Sequence, residues 1–497
     1  MSAVFGIHVG NSSACVALFK DGKVEVIAND SGDRITPTVF AMTETEKMVG
    51  LAAKVNMARN SASTIVHNKQ FLNESVDSTE LEEAIKKSTC KVITEGDGVK
   101  YELKCGDKTV VMTPEDIATS IFSKLCAIAS SALRSESDLR AVLCVPLHFS
   151  QSSRQTVMRA AEEAGLEVLH VISEPGASLM AHGVGVNNPE DESLCLVYRL
   201  GGISLDVTVL RVRGGMYSVC STVHKAALGG DKFTKILAEY LAGEFRQKWK
   251  LDPRDSRRSM MKLTTAAETC KHVLSTMSTA HCFVESLCEG VDLSHNITRA
   301  RFESLIASVL QEYLQPVSEA LAKAQIESSS IDKVVLSGGS VKIPKLQQTF
   351  ADRFSQAEVL GGMNPDEVIA IGAARHGSYL SDPTDPDCEL LAMEVSAMSR
   401  ALYVKQLSAP EFLCVIPAFT PVPVKRVKKY SVQSCAEVWF ELYEEKETLL
   451  GKVLLRDIET PTQVTVEISI SSVGGVHATF TDNSSKKKCS LKLNPPV

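Results

Sequence analysis

Apolar and polar residues alternate at the start of the chain in the manner of half-buried strands. Val4–Val9 runs into Gly10-Asn11-Ser12-Ser13, then residues 14–19 and, past the hairpin signal Asp21-Gly22, residues 23–28. The same pattern recurs near residue 200. Residues 194–200 lead into Gly201-Gly202-Ile203-Ser204 and residues 205–212, after which Gly214-Gly215 turns the chain into 216–219. Setting Gly10 against Gly201 aligns strand, turn and strand at a separation of 191 residues, which predicts a duplicated half-domain. Helical spacing follows in each half, over 117–133 and 153–164 in the first and over 233–249 and 300–324 in the second. A third glycine turn, Ser337-Gly338-Gly339-Ser340, follows the apolar run Val334-Val335-Leu336. A helix is expected over 341–354, with Pro344 near its start. Strand, glycine turn and helix N-terminus together make an anion-binding arrangement.

The pattern changes at Ser381-Asp382-Pro383-Thr384-Asp385-Pro386-Asp387, where prolines and aspartates predict a solvated linker over 381–396. From about residue 397 short β runs take over, at 412–416, 438–443, 452–455, 464–470 and 477–480. The expected fold is therefore a duplicated α/β domain of two lobes over 1–380, its second half beginning near 190. The linker and a small all-β sandwich over 397–497 follow.

Composition narrows the function. The 497 residues include 53 basic and 60 acidic side chains, a formal charge of −7, and 44% are hydrophobic, which is globular composition. A mildly acidic chain is a poor non-specific binder of nucleic acid. No uncharged apolar run reaches the roughly 18 residues of a membrane span. The N-terminus lacks a basic stretch followed by a long apolar one, so a secretory signal is not expected and the compartment reads as cytosol or nucleus. The 14 cysteines contain no C-x-x-C, and their closest pair is Cys282 and Cys288. They read as reduced thiols in the core, and no metal ligand set is assigned.

Glycine turns between strands expose backbone N–H groups that can cradle phosphate. No G-x-x-x-x-G-K-[ST] loop is present, and neither main turn fits G-x-G-x-x-G leading into a helix. The ordered motifs do resemble the seventy-kilodalton heat-shock chaperones, whose ATPase fold is shared with actin and sugar kinases. Gly10-Asn11-Ser12 is similar to their first phosphate loop and Leu200-Gly201-Gly202-Ile203-Ser204-Leu205-Asp206 to the second. Ser173-Glu174-Pro175-Gly176-Ala177 resembles the connecting segment, and Ala267-Glu268 through Lys271 and Ser275 the adenine and ribose helix. The segment from Val335 to Lys345, Asn364-Pro365-Asp366-Glu367 and Ile297-Thr298-Arg299-Ala300-Arg301-Phe302-Glu303 extend the likeness over almost the whole chain. The resemblance implies ATP or ADP held by Gly10, Asn11, Ser12, Lys69, Arg199, Gly201, Gly202, Ile203 and Ser204. It adds Gly230, Glu268, Lys271, Ser275, Gly338, Gly339, Ser340, Lys342 and Asp366. Lys69, Glu174 and Asp206 fall on its catalytic positions.

Two departures touch that chemistry. The family carries an aspartate before each phosphate loop, and here those positions hold His8 and Arg199. Arginine stays protonated and serves neither as base nor as metal ligand. Two charges about 4 Å apart interact by about 4 kcal/mol at an effective dielectric near 20, so a reversed sign beside Mg²⁺ slows hydrolysis. With His8 neutral, Arg199 and Asp206 cancel without a metal, which implies nucleotide binding that depends weakly on Mg²⁺. Pro175 and Arg154 match the family's switch proline and its partner. His170 replaces the arginine used to dock J-domains, and Ala392 weakens the apolar linker centre. The chain stops where a full member would continue into a helical lid, so weak peptide binding is expected. Among family members the likeness is strongest to the short, ribosome-associated animal branch. That implies a J-domain co-chaperone of the ribosome, the ribosome and nascent chains, and a conventional heat-shock chaperone as partners. An autonomous ATPase chaperone and an exchange-factor-like or holdase protein are the alternatives. The basic runs Lys425-Arg426-Val427-Lys428-Lys429 and Lys486-Lys487-Lys488 read as solvated strand ends, with RNA contact the lesser reading.

Overall fold

A computed structural model describes residues 3–493 apart from 74–77, 96–97, 134–138, 186–191, 214, 382–392, 396–399, 408–410, 418–419, 421, 433–436, 445, 457–460 and 472–474. The two alternating stretches become two sheets of matching order. The first runs Leu166–Ser173, Leu139–Val145, Val4–Val9, Ser13–Lys20, Lys23–Val26. The second runs Glu358–Leu360, Lys333–Ser337, Ser193–Leu200, Leu205–Arg213, Met216–Lys225. In each, the strand before the glycine turn is antiparallel to the strand after it and parallel to its other neighbour. The turns close alike, with Gly10 N–H donating to Ser13 O at 2.8 Å and Gly201 N–H to Ser204 O at 2.9 Å. The fold class is the duplicated two-lobed one that the repeat implies.

Capping decides where the helices begin. Pro114–Ser131 starts ahead of its apolar pattern because Thr113 and Asp116 cap it reciprocally and Pro114 occupies the first turn. Gln151–Glu163 is capped by Ser150, and the third expected helix spans Gly230–Trp249. Two expectations are corrected. The helix expected over 300–324 is two, Arg299–Ile306 and Leu310–Ala324, because a turn interrupts an apolar period that continues through it. The helix after the third glycine turn spans Pro344–Arg353, preceded by the 3₁₀ turn Gly339–Lys342. Ile343 is extended, with φ −64° and ψ 117°, as a following proline requires, so the helix cannot begin at 341.

The chain divides into two compact units, Met1–Gly215 with Thr222–Ala392, and Met216–Ser221 with Met393–Val497. In the second unit, Phe412–Ile416, Leu402–Gln406, Glu437–Glu444 and Thr448–Arg456 form one sheet. Val424–Val432, Thr462–Ile470, Val476–Asp482 and Lys488–Leu493 form the other. Their inner faces share one apolar core in which Phe440 and Phe480 stack with centroids 5.2 Å apart. Every described element after residue 393 is a strand. Met393–Val395 pairs in parallel with Met216–Ser218. The remainder of the expected linker, 382–392 and 396–399, lies outside the described residues. Lys425 to Lys429 are not a strand end. They form the exposed middle of Val424–Val432, held there by continuous pairing with Thr462–Ile470, and that strand is the last in its sheet. Among the described residues no helix is long and apolar enough to cross a membrane, and nine of the twelve described cysteines are buried thiols.

Candidate functional site

The hairpin register assembles the centre of the site. Arg199 and Asp206 are direct cross-strand partners around the second glycine turn, so their side chains share a face, and Nη1 donates to Oδ2 at 2.9 Å. His8 and Cys15 are the corresponding pair around the first turn. Glu174, the first residue of the helix Glu174–Ala181 that Ser173 caps, is buried beneath both hairpins. Its Oε1 accepts from Lys69 Nζ at 2.5 Å and lies 3.2 Å from His8 Nε2. Its Oε2 lies 2.6 Å from Arg199 Nε but off the hydrogen-bonding direction, which makes that contact coulombic. Lys69, on the 3₁₀ turn Asn68–Leu72, also donates to Val9 O at 2.6 Å.

Two cations and two anions cancel in this cluster. Burial lowers the His8 pKa to about 4 despite the neighbouring Glu174, so the imidazole is neutral at neutral pH. Burial pushes Glu174 up, but Arg199 and Lys69 outweigh it and hold the carboxyl far below its usual range. Asp206 is treated likewise: burial raises it, and hydrogen bonds from His148 and His224, with the Arg199 charge, hold it well below. Burial lowers the Lys69 pKa, with partial compensation from Glu174. For Arg199 burial also lowers it, and Glu174 and Asp206 more than reverse that.

Beside the cluster lies a cavity of about 860 Å³, lined by Asn11, Ser12, Ile203, Gly229, Asp231 and Glu268 among others, a volume suited to a nucleotide. Ser12 Oγ is buried there without a hydrogen-bond partner. Gly202 brings the second loop against it, since a Cβ on that residue would fall 2.0 Å from the oxygen. Gly338, at φ +89°, holds the third turn so close that a Cβ would lie 2.3 Å from Leu200 O. Ser340 Oγ and Gly230 N–H both donate to Gly201 O at 3.0 Å, tying the third loop and a helix start to the second loop. A partnerless buried hydroxyl between glycine turns fits a phosphate oxygen. Asn11 Oδ1 accepts from Gln70 N–H at 3.0 Å, which fixes the first loop against the Lys69 turn.

The residues expected on the adenosine side divide. Glu268 and Lys271 do not pair with each other despite their spacing. Glu268 pairs with Lys54 at 2.9 Å, and Lys271 donates to Gly230 O at 3.1 Å and Thr234 Oγ1 at 2.7 Å. Ser275 Oγ turns back to Lys271 O at 3.2 Å and does not line the cavity. Lys342 donates to Asp366 Oδ2 at 2.7 Å; Asp366 Oδ1 is buried without a partner, and Gly339 packs nearby. Arg154 donates to Phe149 O at 3.3 Å, and His170 Nδ1 lies 2.8 Å from His376 Nε2.

ATP therefore fits, whereas the residues present suit Mg²⁺ poorly. That ion takes hard oxygen ligands. Here His8 and Arg199 stand at two of the positions in question, and Asp206 is already bonded to Arg199 and His224. His148 and His224 are the residues that sequence reasoning missed. They lie 3.5 and 2.7 Å from Asp206 Oδ1, and nothing in their separation along the chain signals that meeting.

A family model described as Hsp70 protein matches residues 4–495. Heat shock 70 kDa protein 14-B of Xenopus laevis is 38% identical over 497 residues, spanning 98% of each chain. Heat shock 70 kDa protein 14 of Danio rerio is 38% identical, covering 99% of this chain and 98% of its own. The protein of that name from Homo sapiens is 39% identical over 98% of both.

Proposed function

Because the chain belongs to the Hsp70 family, we propose that it is an ATP-binding co-chaperone working with a J-domain partner at the ribosome in the cytosol. In this reading it keeps nascent polypeptides folding-competent together with a conventional heat-shock chaperone, and hydrolyses ATP slowly or not at all. Residues 1–380 bind nucleotide, 381–396 link, and 397–497 form the substrate-side sandwich.

One observation carries the reading of slow hydrolysis: the Arg199 guanidinium sits buried between Glu174 and Asp206. A group that is always cationic replaces one that could order water or a hard cation, and it occupies the two carboxylates that remain. What survives is a neutral, preformed phosphate cradle. Lys69 and Arg199 bring the positive charge, and Ser12 and the glycine turns bring the donors. The outer Arg199 nitrogen, Nη2, faces the first loop, 3.9 Å from where a Cβ on Gly10 would be. In this reading Arg199 meets phosphate from the protein side, and that orientation of Nη2 supports binding with little need for Mg²⁺.

Single-turnover hydrolysis by the purified chain, with and without a J-domain, tests this. The expected result is a rate far below that of conventional members. A conventional rate abolished by Lys69→Ala would sink it. Co-sedimentation with ribosomes and a J-domain protein tests the assembly, and its absence would leave an isolated nucleotide binder.

A further inference from the structure

Among the described residues, His148, Asp206 and His224 bring three donor atoms within 4.8 Å of one another. The function proposed above makes no use of the two imidazoles. We propose that these side chains form a binding site for a divalent metal of the zinc class.

The donor set selects the metal. Two imidazole nitrogens and one carboxylate oxygen are ligands that zinc accepts with a fourth position left for water, whereas Mg²⁺ and Ca²⁺ seek oxygens. The three side chains come from separate elements: His148 follows the strand Leu139–Val145, Asp206 lies in Leu205–Arg213, and His224 in Met216–Lys225. His148 Nδ1 is 3.5 Å from Asp206 Oδ1 and His224 Nδ1 is 2.7 Å from it. Donors bound at about 2.0–2.1 Å around a tetrahedral ion lie roughly 3.3 Å apart. The His148 contact already has that spacing. The His224 contact, at 2.7 Å, must open by roughly 0.6 Å as coordination replaces its hydrogen bond. Metal binding then releases any proton carried on Nδ1.

The surroundings suit such an ion. Arg199 Nη1 holds Asp206 Oδ2 at 2.9 Å, orienting the carboxylate so that Oδ1 faces the imidazoles, as outer partners do in metal sites. The two rings are neighbours, centroids 3.9 Å apart and planes tilted by 33°, and both line a cavity of about 160 Å³. That cavity leaves room for entry and for ligand water. The nearby guanidinium disfavours a cation held by charge alone. Neutral imidazoles bind zinc through the nitrogen lone pair, so the site does not need an excess of carboxylates.

The experiment titrates the full chain with Zn²⁺, with Mg²⁺ as comparison, in the native form and as His148→Asn and His224→Asn. Calorimetry should find a Zn²⁺ site whose affinity falls by about 100-fold in either variant, the upper range for losing even an outer partner. In the native protein, Zn²⁺ but not Mg²⁺ should protect His148 and His224 from diethylpyrocarbonate, read by peptide mass spectrometry. Unchanged Zn²⁺ affinity in both variants overturns the proposal, and so does equal modification with and without Zn²⁺. Should a variant fail to fold, protection in the native chain decides in the same way.

Discussion

The first and second glycine loops are one device built twice, and they differ where charge matters. Both are hairpins closed by an N–H donated across the glycine turn, at 2.8 and 2.9 Å. Two residues before the glycine, the first carries His8 and the second Arg199. Burial neutralises the histidine, whereas the arginine stays charged because Glu174 and Asp206 compensate it. Backbone geometry thus survives while the electrostatic task is divided. The first loop offers an uncharged wall and the second a cation. Glu174, touching His8, Lys69 and Arg199, joins the two.

The comparison breaks hardest at Arg199. Arg199→Ala strips a cation from two buried carboxylates, leaving Glu174 with the Lys69 cation alone and Asp206 with its histidine hydrogen bonds alone, and the expected loss is about 3–5 kcal/mol of unfolding free energy. His8→Ala removes a neutral ring and should cost less than half of that in the same urea denaturation. Equal losses would mean that the two loops are electrostatically alike.

The neutral histidine makes the next largest effect, seen with pH. Unfolded, its ring takes a proton near 6.5; folded, it resists until about pH 4. Between those values the unfolded chain binds the proton and the native one does not, so stability falls as pH drops through that window. Above it the term is constant. The full span is roughly 3 kcal/mol for one such group. His376, also held to about 4, adds in the same direction. His8→Asn should flatten part of the slope in denaturation curves taken from pH 7 to 4, and an unchanged slope would show His8 charged in the native state.

Nucleotide affinity sharpens the contrast more gently. ATP should bind the native chain with similar affinity in magnesium and in excess chelator. Arg199→Asp should weaken metal-free binding by more than about tenfold, or 1.4 kcal/mol, and create a dependence on Mg²⁺. Calorimetry reads both, and loss of native binding in chelator would remove Arg199 as the substitute for the metal. The smallest effect separates the backbones themselves. A Cβ on Gly10 would sit 2.8 Å from Ser13 O, while one on Gly201 would find Ser204 O at 3.5 Å, an ordinary contact. Gly10→Ala should therefore cost about 1 kcal/mol or more, and Gly201→Ala less, in the same melts.

Much of this was legible in the chain because it is local. A hairpin around Gly201-Gly202-Ile203-Ser204 places residue 199 opposite 206, so the Arg199–Asp206 pair is written into eight consecutive residues. Alternation likewise marked the strands of the sandwich core, such as Thr462–Ile470. Long-range partners were not legible. Glu268 and Lys271 have the spacing of an ion pair, yet Lys54 and Thr234, from other helices, take them. The sheet of Lys91–Glu95, Gly98–Cys105 and Lys108–Met112 escaped notice although its middle strand alternates, Val99, Tyr101, Leu103 and Cys105 against Lys100, Glu102 and Lys104, because the strands on either side are short and do not. His148 follows a strand of the first sheet and His224 lies on a strand of the second, so they meet only through tertiary packing between residues far apart in sequence.

The strand Val424–Val432 has a consequence for the protein in crowded solution. A sheet's last strand leaves backbone donors and acceptors open to any similar strand, its own copy included. Here Lys425, Arg426, Lys428 and Lys429 stand exposed along that border, and among the described residues Lys425 pairs with Glu467 at 2.8 Å. Two molecules approaching border to border meet as like-charged combs, so repulsion acts before hydrogen bonds can form. Ionic strength sets the reach of that repulsion, about 10 Å at 0.1 M salt and about 3 Å at 1 M. The colloidal stability of this domain is therefore an electrostatic property, strongest in dilute buffer and progressively lost as salt rises.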